Sequence, residues 1–249
     1  MRKNLSKLFP AAGVLMLIAA WQLVCLTGLV PGFMLPSPVS TLKALVNSFP
    51  ELMRHTAVTL SEALFGLSLS LAFAVILAVL TDRYKTFGKI LYPIVVITQT
   101  IPVVAIAPLL VLWFGFGAAP KIVLITIVCF FPLAVGLMDG FKSVDPDVIS
   151  LLRSMGAKYG GLLIHAKFPC SASAFFAGLK VAVSYSVVGA VISEWLGGSG
   201  GLGVYMTRVR KSYAYDKMFA VILVITAVSL LLIGAVAALQ RILTPWRDD

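Results

Sequence analysis

Long apolar stretches separated by short polar segments make up most of the chain. A run of about 18 residues or more can cross the roughly 30 Å hydrocarbon core of a bilayer as a helix, because a helix rises about 1.5 Å per residue. The runs predict an all-α integral membrane protein with about six spans, and we expect residues 1–249 to form a single transmembrane domain. The predicted spans cover residues 10–30, 57–81, 90–114, 120–140, 171–195 and 217–240.

A shorter helix is predicted between the first two spans. The prolines of Leu35-Pro-Ser-Pro38 favour extended backbone. From Val39 to Leu52, apolar residues then recur at helical spacing, with Ser37 or Ser40 available as the cap. This pattern is typical of an amphipathic helix in the membrane interface.

The third span contains Pro93, Pro102 and Pro108, so we expect a kinked or broken helix. Carbonyls freed in lipid must be buried in protein or must face a wet cavity. This places the span inside the bundle as a candidate wall of a pathway. Ordinary packing kinks are the alternative.

Composition agrees with the spans. Of the 249 residues, 60% are hydrophobic and 12% are charged, which is more apolar surface than one soluble domain can bury. The net charge of +10 argues little for nucleic acid, because the cations lie between spans and form no separate basic module. If the termini are cytoplasmic, the inner face carries 12 cations and the outer face 7. The outer cluster from Arg208 to Lys217 argues against this orientation.

The longest polar segment, residues 141–170, predicts a second short helix. Asp145 or Asp147 can cap it, Pro146 suits its first turn, and apolar residues at helical spacing lead to Met155 before Gly156 permits a turn. Such a helix can dock into a groove of another protein. It could instead lie on lipid headgroups.

Polar side chains within the spans are candidates for a translocation pathway. Each charge at mid-depth costs about 3 kcal/mol, so a partner or water must offset it. For Glu62, lining the pathway and pairing with another residue are both open, whereas Glu194 near a span end can reach headgroups or water. Gln99 offers an amide beside the kink and Trp113 a stacking face. The candidate pathway residues are therefore Glu62, Gln99, Trp113 and Glu194.

Three segments resemble a known family. Gly156-Ala157, followed thirteen residues after the glycine by Pro169, resembles the loop shared by permease subunits of binding-protein-dependent ABC importers. The family's Glu-Ala-Ala is replaced here by Ser150-Leu151-Leu152, so only the glycine and the proline match strictly. The stretches 93–117 and 194–203 resemble the corresponding parts of sulfonate, taurine and nitrate importer permeases.

The resemblance implies a type I ABC importer-like permease in a bacterial plasma membrane. It implies a homodimer that carries two cytoplasmic ATPase subunits and receives solute from an extracytoplasmic binding protein. We expect the loop to insert into a cleft of the ATPase. The residues predicted for this contact are Arg153, Ser154, Gly156, Ala157, Lys158, Tyr159 and Pro169.

The resemblance implies that the ATPase partner binds ATP and Mg. The chain itself has no Gly-rich phosphate loop followed by Lys-Ser or Lys-Thr. We therefore expect no cofactor, no metal and no enzymatic activity in this subunit. The expected solute is a thiamine pyrimidine precursor or a related heterocycle. Aliphatic sulfonates, taurine and nitrate are alternatives, and a secondary carrier without an ATPase is a further one.

Overall fold

The computed structural model describes residues 2–28 and 30–245, with side chains described from residue 12 onward. Within these ranges every regular element is a helix and no strand occurs, which confirms the all-α class. A π-helical turn, Leu163–Lys167, joins α8 to α9. The helices are α1 (Arg2–Leu26), α2 (Pro38–Asn47), α3 (Phe49–Arg83), α4 (Lys85–Thr98), α5 (Val103–Phe114), α6 (Ala118–Lys142), α7 (Pro146–Ser154), α8 (Tyr159–Leu162), α9 (Phe168–Leu196), α10 (Leu202–Lys211) and α11 (Tyr215–Leu243).

Four helical stretches are long and apolar enough to cross a bilayer, namely α3, α6, Tyr159–Leu196 and α11. Helices α4 and α5 qualify together as a bent fifth span, and α1 contributes a shorter apolar stretch, Ala12–Leu26. The predicted spans from 57–81 onward all fall on these elements. The first predicted span, 10–30, includes residue 29, which lies outside the described residues. The exact count of six stays a prediction.

The predicted break in the third span is confirmed. Helix α4 ends at Thr98, α5 begins at Val103, and the two axes differ by 98°. Pro102 precedes α5 directly, because its fixed φ suits a helix start and its missing N–H cannot continue α4. Its predicted position inside the bundle stays a prediction, since α4 and α5 lie at the edge of the single chain. Their buried residues are only Val95, Ala107 and Leu110.

The helix predicted from Val39 to Leu52 is two helices. Ser37 caps α2, and its hydroxyl accepts a hydrogen bond from the Ser40 backbone N–H at 3.2 Å. Helix α2 then stops at Asn47 and α3 starts at Phe49, eight residues earlier than the predicted second span. Pro50 explains the division, because a proline fits the first turn of a new helix but interrupts an existing one.

The core lies where α6 packs between α3 and α9. Buried side chains of α6 such as Ile125, Cys129 and Leu133 meet small residues of the other two helices. At the α6–α9 contact, a Cβ on Gly178 would overlap the carbonyl oxygen of Pro132, so only glycine permits this approach. In lipid, where burying apolar surface adds little, such close packing holds helices together.

The two ends of this bundle carry the features that matter for function. At one end, α7 lies between α6 and the residues that lead into α9, and we call this the α7 end. At the other end, residues 197–201 connect α9 to α10, and we call this the glycine end. Helix α3 runs from the glycine end to the α7 end.

Candidate functional site

Helix α7 is defined at both of its ends by local hydrogen bonds. The Asp145 carboxylate accepts from the Asp147 backbone N–H at 2.8 Å, which confirms Asp145 as the cap. After Ser154 the backbone N–H groups of Gly156 and Ala157 donate to the carbonyls of Arg153 and Leu152, both at 2.9 Å. This is a Schellman ending, and Gly156 takes the left-handed φ of +84° that the motif requires.

One face of α7 is apolar and uncovered. Val148, Leu151 and Met155 are exposed by 41%, 60% and 74%, and no residue of α7 is buried. Because such a patch on a projecting helix is typical of a protein contact site, α7 is suited to enter a groove of a partner.

The predicted contact residues divide into two groups. Arg153, Ser154, Gly156 and Lys158 are exposed at the end of α7, where a partner can reach them. Tyr159 turns toward α3 instead. Its hydroxyl lies 2.8 Å from Asp82 Oδ2 and 3.1 Å from the carbonyl oxygen of Val79 and donates to this pair of oxygens.

Two further predicted residues, Ala157 and Pro169, are intermediate in burial. Ala157 is half-buried after the Schellman turn. Pro169 is half-buried in the first turn of α9, directly after the π-helical turn Leu163–Lys167. Both residues are therefore less accessible to a partner than the exposed residues at the end of α7.

Asp82 is a functional candidate that the sequence analysis missed. Its other oxygen, Oδ1, accepts an ion-paired hydrogen bond from Lys167 Nζ, and both side chains are largely buried. Arg83 lies over the Tyr159 ring, with its Cζ 4.8 Å from the ring centroid. We call Asp82, Tyr159 and Lys167 the clasp. A signal was available, since Asp82 is a lone acid among Arg83, Lys85 and Lys89.

At the glycine end, Glu62 pairs with Lys121 across α3 and α6. The Nζ–Oε1 distance is 2.7 Å, and the two side chains are only 11% and 5% exposed. A cavity of about 580 Å³ adjoins the pair, lined also by Phe116 and by residues 197–199. Glu62 therefore both pairs and lines the mouth of this cavity.

Glu194 is buried, so the expectation that it reaches headgroups or water was wrong. Its Oε1 accepts from the Thr59 hydroxyl at 2.7 Å, and its Oε2 accepts from the Gly203 N–H at 2.6 Å. Thr59 in turn accepts from the Leu202 N–H at 2.8 Å. A carboxylate at the start of α10 is favoured by the helix dipole. We call Thr59 and Glu194, with the N–H groups that they bind, the latch.

A second cavity, of about 370 Å³, lies between α5, α6 and α9, and Gln99 is one of its lining residues. Thr98 and Tyr185 add polar atoms, and the rest of the lining is mainly aliphatic. No charged residue is among the residues that line it. Trp113 lies elsewhere, 68% exposed near the end of α5.

Comparison with known proteins connects these features to a family. A model described as the binding-protein-dependent transport system inner membrane component matches residues 70–248. The chain is 38% identical over 232 residues to a probable ABC transporter permease protein of Haemophilus influenzae, covering 93% of this chain and 94% of that protein.

Two further similarities cover most of the chain. It is 32% identical over 248 residues to the formylaminopyrimidine transport permease protein ThiX of Halalkalibacterium halodurans, covering 99% of both proteins. Its fold is similar to that of a chain in the inward-facing MetNI methionine ABC transporter, with a TM-score of 0.62, 20% identity, and coverage of 80% of this chain and 96% of that one. The last similarity concerns the fold alone.

The family match spans most of the sequence, and the described helices include several that can cross a membrane. Proteins of this kind are transport subunits, not enzymes, and they work with an ATPase and a binding protein. The chain therefore belongs to the binding-protein-dependent permeases and is the integral inner-membrane subunit of an ABC importer.

Proposed function

We propose that the chain forms the pathway of a homodimeric importer for a thiamine pyrimidine precursor of the formylaminopyrimidine type. The observation that carries this choice is the 32% identity, over 99% of both chains, to a formylaminopyrimidine permease. The cavity beside Gln99 supports it on physical grounds. Its lining supplies an amide, two hydroxyls and apolar surface, which suits a neutral heterocycle.

The same lining argues against the anionic alternatives. A sulfonate or nitrate loses its hydration on entering an apolar cavity, and a cation or several N–H donors must offset that cost. Taurine also carries a sulfonate. The cavity lining contains no Lys or Arg, and Lys121 at the glycine end is already paired with Glu62.

The uncovered apolar face of α7 is the proposed docking site for the ATPase, with Arg153, Ser154, Gly156 and Lys158 around it. Since ATP is cytoplasmic, this assignment puts the α7 end in the cytoplasm and the glycine end outside, where the binding protein delivers solute. With six spans, both termini are cytoplasmic. ATP and Mg bind to the ATPase and not to this chain.

The proposed second copy covers the open edge formed by α4 and α5. Ile94, Ile97 and Val104 on this edge are 49%, 62% and 62% exposed, and the Gln99 cavity opens beside them. A twofold partner at this edge would close the cavity between the two copies.

The test is reconstitution of the chain with its ATPase and binding protein in liposomes. We expect ATP-dependent uptake of labelled formylaminopyrimidine that excess unlabelled taurine or alkylsulfonate leaves unchanged. If taurine or alkylsulfonate inhibits uptake, an anion is the solute in place of the heterocycle. If the chain takes up solute without the ATPase, it is a secondary carrier. Cross-linking through cysteines placed on α5 tests the dimer.

A further inference from the structure

The clasp joins two parts of the chain that are far apart in sequence. Asp82 belongs to the last turn of α3, whereas Tyr159 and Lys167 lie about 80 residues later, between α7 and α9. Among the described residues, two donors of residues 159–167 bind α3. The single Tyr159 hydroxyl proton is shared between Asp82 Oδ2 and the Val79 carbonyl, one turn earlier, and Lys167 Nζ binds Asp82 Oδ1.

The covalent chain links α7 to other helices. Helix α6 leads into α7, and residues 155–167 lead out of it into α9. A displacement of α7 therefore reaches α6 and α9 through the backbone. It reaches α3 through the packing of α6 on α3 and, directly from residues 159–167, through the clasp, whose ion-paired side chains are only 13% and 14% exposed. Removing one partner of such a pair leaves an uncompensated charge, so the pair resists separation.

Helix α3 connects the clasp to the glycine end without a break. Thr59 and Asp82 are 23 residues apart on one helix, which corresponds to about 35 Å of rise. At the glycine end, α3 holds the start of α10 through Thr59 and through His55, whose Nδ1 accepts from the Gly201 N–H at 3.1 Å. It also holds α6 through Glu62.

We propose that the clasp fastens α3 to residues 155–167, which follow α7, so that movement imposed on α7 by the ATPase also moves α3 and the latch at the glycine end. This inference rests on the proposed docking of the ATPase at α7. It assigns Asp82, Tyr159 and Lys167 as positioning residues that transmit motion, and it gives Tyr159 a role inside the permease in place of one in the ATPase cleft.

The experiment uses the whole importer in liposomes and measures two quantities, ATP hydrolysis stimulated by loaded binding protein and solute taken up per ATP. The variants are Lys167→Met, which leaves the Asp82 charge unpaired, and Tyr159→Phe, which removes one hydroxyl. We expect both variants to bind the ATPase as wild type does and to take up at least about fivefold less solute per ATP. Lys167→Arg keeps the charge and should restore most of the ratio.

Lys142→Met is the matched control, because Lys142 is a cation at the same end whose ion pair with Asp139 is exposed. An unchanged uptake per ATP in assembled Tyr159→Phe and Lys167→Met complexes would overturn the proposal. If Lys167→Met does not assemble, the ratio for Tyr159→Phe decides alone. If the Tyr159→Phe variant no longer binds the ATPase, Tyr159 contacts the ATPase and the proposal is overturned. A wild-type complex without ATP-dependent uptake would overturn the proposed function instead.

Discussion

Lys121 Nζ lies 2.7 Å from Glu62 Oε1, and this largely buried pair joins α6 to α3. The second oxygen of Glu62 is buried without a protein hydrogen-bond partner among the described residues. The carboxylate therefore depends on Lys121 for its compensation. Because the pair is buried, replacing one of its residues destabilises the fold more than replacing both with apolar residues.

Lys121→Met should lower the free energy of unfolding by about 3–5 kcal/mol, because Glu62 is left as an unpaired buried charge. The double variant Lys121→Met, Glu62→Met should recover most of this loss. Thermal unfolding of the purified protein in detergent measures both. A double variant as unstable as the single one would show that the ion pair itself stabilises the fold.

Glu194→Ala should loosen the glycine end, because the Gly203 N–H loses its acceptor and the Thr59 hydroxyl keeps only the His55 carbonyl of its own helix. We expect faster hydrogen–deuterium exchange in residues 198–206 and unchanged exchange in α7. Thr207→Ala is the control, since the one partner of the Thr207 hydroxyl among the described residues is the Val204 carbonyl of its own helix. Equal exchange in Glu194→Ala and wild type would remove the latch from the mechanism.

Leu151→Asp should abolish co-purification of the ATPase, because it places a charge on the uncovered apolar face of α7. Ser150→Asp adds the same charge to the neighbouring exposed residue and should reduce binding much less. Both variants should melt as the wild type does, since no residue of α7 is buried. Retention of the ATPase by Leu151→Asp would exclude this face as the docking site.

Gly156→Pro should uncouple transport from ATP hydrolysis. Proline fixes φ near −65°, whereas residue 156 has a φ of +84°, so the Schellman ending of α7 cannot form. Uptake per ATP in the reconstituted importer is the measurement, with ATPase assembly checked separately. Normal uptake by an assembled Gly156→Pro importer would contradict the role of this turn.

Gln99→Leu should lower solute uptake by about tenfold without changing assembly, because the cavity loses an amide whose hydrogen bonds are worth about 1.5 kcal/mol. Trp113→Ala tests the other candidate pathway residue of this bent span. Since Trp113 is outside the lining of the cavity, its effect should be the smaller of the two. Normal uptake by both variants would show that the pathway does not pass beside α4 and α5.

The elements set by local chemistry could be predicted from the sequence. The Asp145 cap, the turn at Gly156 and the break before Pro102 each depend on a few neighbouring residues, and the structure has all three. The partners of Glu62 and Glu194 could not be predicted in this way, because Lys121 and Thr59 are 59 and 135 residues away from them. Only the packing of α3, α6 and α9 brings them together.

Asp82 escaped prediction for a related reason. Counting cations to orient the chain gives an acid at a helix end no weight, so the residue that anchors the clasp was overlooked. The edge position of α4 and α5 is a different case. The prolines indicate that freed carbonyls need cover, but they do not say whether that cover comes from the same chain.

The exposed edge of α4 and α5 also bears on how this protein can evolve. Lipid tails are as apolar as the Ile and Val side chains that they would touch there, so exchanging one aliphatic residue for another leaves membrane insertion nearly unaffected. Such exchanges would alter the shape that the proposed second copy must fit. In the proposed dimer, exchanging aliphatic residues along this edge would therefore change which copies can pair while affecting the fold of each copy little.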